Sequence, residues 1–133
     1  MEKKLMEHIE ANKDNVVRLV SRLIEIPTVN PPGENYEEMV CLLEKECRKL
    51  RLATKKHVTP KNVLNKFGIK SGSERISLVA ELNVGANKTF HVNSHYDVVP
   101  ATDNWKTDPF KAEVKGNRVY GRGSEDMKGN IAS

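Results

Sequence analysis

Residues 3–25 constrain the fold more than any other stretch. Leu5, Ile9, Val16, Leu19, Val20, Leu23 and Ile24 recur at three- and four-residue steps, with Lys, Glu, Arg and Asn on the opposite side. Such a pattern predicts a long amphipathic helix whose apolar stripe must pack on another layer. Ile26-Pro27 ends it, because proline has no amide hydrogen and disfavours the helical region for the residue before it. Pro31-Pro32-Gly33 makes a turn, and residues 34–52 predict a second amphipathic helix. Its stripe is Tyr36, Met39, Val40, Leu43, Cys47 and Leu50, a core face.

Strand signals follow. Residues 63–67 read as a short strand and residues 70–74 as a turn or loop. The β-branched and apolar content of residues 76–82 predicts a strand, and residues 83–88 supply a turn. A second strand is expected at residues 89–94, where Phe90 and Val92 alternate with polar residues. Residues 110–114 and 118–120, joined by Lys115-Gly116-Asn117, read as a hairpin. Two helices followed by strands imply an α/β or α+β layered domain.

Composition narrows the class. The 133 residues suffice for one domain or a piece of one, which at this size buries roughly two-thirds of its unfolded surface. No run approaches the ~20 apolar residues of a membrane span. The charged N-terminus lacks the apolar core of a signal peptide, so a cytoplasmic location and no membrane partner are expected. The net charge of +4 comes from dispersed lysines and arginines without interleaved aromatics, which argues against nucleic acid. Cys41 and Cys47, six apart on a helix, fit neither a zinc Cys-x-x-Cys nor a disulfide framework and are expected as reduced, buried or half-buried thiols.

The chemistry-bearing residues lie between 89 and 127. On an extended backbone His95 and Asp97 project to one side, at the C-terminal end of the expected strand, where ligands of open α/β sheets collect. Gly121 and Gly123 allow a tight turn into a helix expected to start near Glu125, with Ser124 as its cap and Asp126 in its first turn. Imidazole and carboxylate are ligands for a borderline metal such as Zn2+, and a carboxylate can place one oxygen on each of two metals. A helix-end carboxylate stabilised by the dipole is the bland alternative for Asp126. Trp105 is expected to cover the underside of its loop and Arg122 to brace it.

Three ordered blocks, HYDVVP, W-x-x-D-P-F and YGRGSEDMKG, together resemble the M20 superfamily of metallo-aminoacylases, desuccinylases and carboxypeptidases. The Pro27 to Gly33 turn is similar too, though less specific. The resemblance implies an α/β, zinc-exopeptidase-like catalytic domain, with a mixed sheet and the two N-terminal helices against it. The strands at 78–82 and 90–94 would be adjacent in that sheet. Residues 1–133 would be the N-terminal portion of the catalytic, metal-binding domain. His95 would be a ligand of one metal, Asp126 a carboxylate bridging two, and Asp97 the group that accepts a hydrogen bond from His95. Two divalent ions, Zn2+ or Co2+, would activate water.

The same resemblance implies hydrolysis of N-acyl amino acids, as in acetylornithine deacetylase and succinyl-diaminopimelate desuccinylase, by an enzyme that is a homodimer when intact. Cleavage of short peptides by a dipeptidase or carboxypeptidase is the alternative. A non-catalytic interaction domain that kept the fold is another. The general base, a Glu-Glu pair, and the further acidic and histidine ligands would follow Ser133. Glu125 stands where the family usually has a small or neutral residue and is read as a surface charge. His8, His57 and His91 fall outside the matched positions.

Overall fold

The computed structural model describes residues 2–69, Gly72 and residues 74–133. Of the loop expected at residues 70–74, Lys70, Ser71 and Ser73 lie outside the described residues. Two compact units are present, one formed by Met1–Pro27 with Ser94–Ser133 and the other by Thr28–Asn93. The chain is a mixture of helices and short antiparallel strand pairs, within the α/β class that the sequence implies.

In the first unit, helix α1 (Glu2–Ile24) is the amphipathic run. Only its C-terminal half buries the stripe: Val20, Leu23 and Ile24 are buried, whereas Leu5 and Ile9 are exposed. Complete burial of Leu23 and Ile24 stabilises by about 1.5–3 kcal/mol each. The end of α1 packs on the short C-terminal helix (Lys128–Ala132), and Ile24 lies over Gly121. The expected hairpin is present, with Glu113–Lys115 and Arg118–Tyr120 paired antiparallel around Gly116-Asn117, in register Lys115↔Arg118. Gly116 takes a positive φ of 57°, as the tight two-residue loop requires.

The second unit is built on α2 (Tyr36–Lys49), shorter at both ends than the 34–52 expected. Tyr36, Met39 and Val40 are its buried residues, while Leu50, beyond the helix, is exposed. This helix packs on an antiparallel pair, β1 (Ala53–Val58) and β2 (Ile76–Glu81), in register Ala53↔Glu81. Glu44 on α2 reaches Lys56 on β1 at 2.9 Å, and Lys56 draws its carboxyl below the usual range. Of the two free thiols, Cys47 is half-buried as expected, but Cys41 is exposed.

Three local expectations are corrected. Residues 63–67 do not form a strand: Lys61–Lys66 is a helix, α3. Pro60 opens it, its carbonyl accepting from the amides of Val63 and Leu64. A short apolar run has no period that separates helix from strand, and here the proline start decides. Residues 89–94 form no strand either, and Phe90 and Val92 are exposed. Alternation becomes a strand only where a neighbour completes the ladder; β2 takes β1 as its partner, and among the described residues none pairs with 89–94. Finally, the C-terminal helix, α4, starts at Lys128 and not near Glu125. Asp126 therefore lies in the turn before it, Met127 is at the N-cap, and no side chain caps the helix.

Candidate metal-binding site

Two tight segments of the first unit bring the chemistry together. One is the run His95-Tyr96-Asp97, which leads into the buried Val98. The other is the 121–127 turn. Gly123, at φ 84°, leaves no room for a side chain, since a Cβ there would lie 2.7 Å from Val98 Cγ1. Ser124 donates its amide to the Gly121 carbonyl and Lys128 donates its amide to the Gly123 carbonyl, so the turn is closed at both ends. The Asp126–Met127 peptide within it is cis.

This closure places Asp126 Oδ1 3.0 Å from His95 Nε2. On the other side of the ring, Nδ1 is 3.1 Å from the Asp97 carbonyl oxygen and 3.3 Å from Asp97 Oδ1. The His95 amide donates to Met127 Sδ at 3.3 Å. Both ring nitrogens thus face oxygen acceptors, which favours the doubly protonated ring. Partial burial, the largest single influence, pushes the His95 pKa down. The Asp97 carbonyl, the Asp126 carboxylate and the charge of Asp97 together outweigh it, and the net shift is upward.

His95 is half-exposed and Asp126 is 86% exposed, so the second carboxylate oxygen remains open to solvent. Two donors about 2.1 Å from one tetrahedral Zn2+ are separated by about 3.4 Å, close to the His95–Asp126 distance. The donor types and their separation therefore fit a shared cation. They are not a complete set: among the described residues no group of three or more His, Cys, Asp or Glu side chains could hold a metal ion. His8 contacts Asn12 within α1, and Glu125 is exposed.

Around the site, Arg122 braces the loop as expected. Its guanidinium stacks 5.1 Å from the Trp105 ring centroid and donates to the Pro100 carbonyl at 3.2 Å, while its amide bonds the Pro109 carbonyl. Two participants were not legible in the sequence. Met127 receives the His95 amide, and Lys128 is completely buried, its Nζ donating to the carbonyls of Leu23 and Ile26 at 2.7 Å each. Burial lowers the Lys128 pKa to about 8. Nothing in the composition of YGRGSEDMKG marks its lysine as an interior one.

Residues 91–133 match the profile of the family described as Peptidase family M20/M25/M40. An uncharacterized metallohydrolase of Methanococcus maripaludis is 38% identical over 127 residues, covering 90% of this chain and 30% of that protein. Residues 91–133 belong to the M20 family. Within it, a succinyl-diaminopimelate desuccinylase of Novosphingobium aromaticivorans is 35% identical over 118 residues, 88% of this chain and 28% of that protein. A deformylase of Halalkalibacterium halodurans acting on N-formyl-4-amino-5-aminomethyl-2-methylpyrimidine is 30% identical over 131 residues, 97% of this chain and 29% of that protein. The chain thus spans about three-tenths of the length of these relatives. None of its helices is long and apolar enough to cross a membrane among the described residues.

Proposed function

We propose that this chain is the N-terminal portion of the catalytic domain of a two-metal hydrolase that cleaves the amide bond of N-acyl amino acids. His95 Nε2 is a ligand of one cation, Asp126 is the carboxylate shared between two, and Asp97 orients the imidazole. The observation that carries this reading is the His95 Nε2 to Asp126 Oδ1 approach of 3.0 Å, made while Asp97 occupies the other ring nitrogen.

With Nδ1 protonated and donating to Asp97, the Nε2 lone pair is left for a cation, and the ring is held in that tautomer. Without a cation, the hydrogen bonds to the Asp97 carbonyl and then to the Asp126 carboxylate favour the protonated ring and raise the pKa of His95 against the opposing effect of burial. The open oxygen of Asp126 provides the second point of attachment. When bound, two divalent cations polarise the amide carbonyl and lower the pKa of water. Arg122 and Trp105 hold the adjoining loop in place.

Substrate class is supported by the relatives whose names specify a reaction, which remove succinyl and formyl groups. The peptidase label of the family profile supports short peptides as the second reading. Both are tested together. The whole protein, stripped with a chelator and reloaded with Zn2+ or Co2+, is assayed for amine release from N-succinyl, N-acetyl and N-formyl substrates and from dipeptides. Metal-dependent release, abolished in His95→Ala and Asp126→Ala, is the expected result. Release that survives the chelator, or release from none of the substrates, refutes the proposal. The 133-residue chain alone is expected to be silent, because among its described residues no group of three or more His, Cys, Asp or Glu side chains could hold a metal ion.

A further inference from the structure

Among the described residues, Lys128 is the one charged side chain that is completely buried. A buried ammonium is costly unless its protons are matched by acceptors. Its partners are main-chain oxygens, the carbonyls of Leu23 and Ile26, at 2.7 Å each. Helix α1 ends at Ile24, so Leu23 belongs to the last turn, whose carbonyls have no amide of the helix to accept from and whose dipole favours a cation.

The other end of Lys128 is fixed as well. Its amide donates to the Gly123 carbonyl at 2.8 Å, and its stem passes beside Gly123, where a Cβ would meet Cδ at 3.3 Å. Asp126 and Met127 lie inside the segment that this bond closes, and Met127 Sδ accepts from the His95 amide. One side chain therefore joins the end of α1 to the turn that carries Asp126, and that turn touches His95 directly.

We infer that Lys128 is a positioning residue: by pinning the 123–128 turn to the end of α1, it sets the Asp126 carboxylate at cation-sharing distance from His95. This rests on the reading of that pair as metal ligands. Lys128 itself touches neither cation nor substrate. A merely structural lysine would stabilise the unit and leave the ligand pair unaffected, so the two roles differ in what happens to metal binding at a given loss of stability.

The test compares the whole protein with its Lys128→Met, Lys128→Arg and Met39→Ala variants. Co2+ affinity by titration, the Co2+ absorption spectrum and the melting temperature are measured for each. Met39 is completely buried on α2 and is none of the hydrogen-bond partners of Lys128, so its truncation serves as the control that lowers the melting temperature. Lys128→Met is expected to bind Co2+ at least about tenfold more weakly and with an altered spectrum. Met39→Ala should bind as wild type does at a comparable loss of melting temperature.

Equal Co2+ affinity and spectrum in Lys128→Met and wild type would overturn the inference, as would equal weakening in Met39→Ala. Should Lys128→Met not fold, Lys128→Arg serves, since a planar guanidinium keeps the charge but cannot meet both carbonyls at the same points. Weaker Co2+ binding is expected of it, and unchanged binding overturns the inference. Wild-type protein that binds no Co2+, or binds it equally after His95→Ala, would sink the ligand reading itself. His95-dependent binding that is indifferent to Lys128 would sink this inference alone.

Discussion

His95 Nε2 and Asp126 Oδ1, 31 positions apart in the chain, approach to 3.0 Å, while Nδ1 of the same ring faces Asp97. An imidazole held between two acceptors keeps its proton to higher pH than a free one. Because the folded pKa lies above the unfolded value, the proton's contribution to stability is fully present below about pH 6.5. It is lost as pH rises through the folded pKa. For a cation the sign reverses, since it must displace that proton.

Metal affinity is therefore expected to fall by about tenfold per pH unit below the raised pKa of His95 and to level off above it. Asp97→Asn should move the onset of the fall to lower pH, because it removes a charge that favours the protonated ring. Titration of Zn2+ or Co2+ at a series of pH values, on the whole protein, checks both. Affinity independent of pH through this range would exclude His95 as a ligand.

Gly123 controls whether the turn can exist. Its φ of 84° and the 2.7 Å approach of a notional Cβ to Val98 Cγ1 forbid a side chain. Gly123→Ala is expected to destabilise the protein by about 1–3 kcal/mol from the backbone alone. Overpacking against Val98 adds to this. Chemical denaturation measures the loss, and a variant as stable as wild type would show that the turn is not built this way.

Phe67, Leu82, Val84, Phe90 and Val92 are exposed in the second unit, and residues 89–94 have the alternation of a strand without a paired neighbour among the described residues. Exposed apolar side chains beside unpaired backbone favour association. The 133-residue chain, purified alone, is expected to run as oligomers or aggregates in size-exclusion chromatography with light scattering. A monodisperse monomer with a cooperative melt would contradict this.

What was legible in the sequence divides along the range of the forces involved. Helix α1 and the Gly116-Asn117 hairpin depend on neighbours within a few residues, so periodicity and turn chemistry were enough to place them. The alternation around Phe90 does not become a strand, because a strand needs a partner that local pattern cannot supply. Residues 53–58 were not read as a strand for a related reason: Ala-Thr-Lys-Lys-His-Val has little β-forming content, and its pairing with β2 holds it. The meeting of His95 with Asp126 was legible only through the ordered blocks that resemble M20 proteins, since 31 residues of spacing say nothing about distance. The burial of Lys128 is not legible in its surroundings, because it depends on where α1 ends, more than 100 residues earlier.

The central claim is that His95 and Asp126 share a cation, and anomalous diffraction at the zinc edge from crystals of the whole protein tests it most directly. A peak about 2.0–2.2 Å from both His95 Nε2 and an Asp126 carboxylate oxygen is the predicted result. Zinc bound elsewhere in the protein, with these two side chains still joined only to each other, would contradict it.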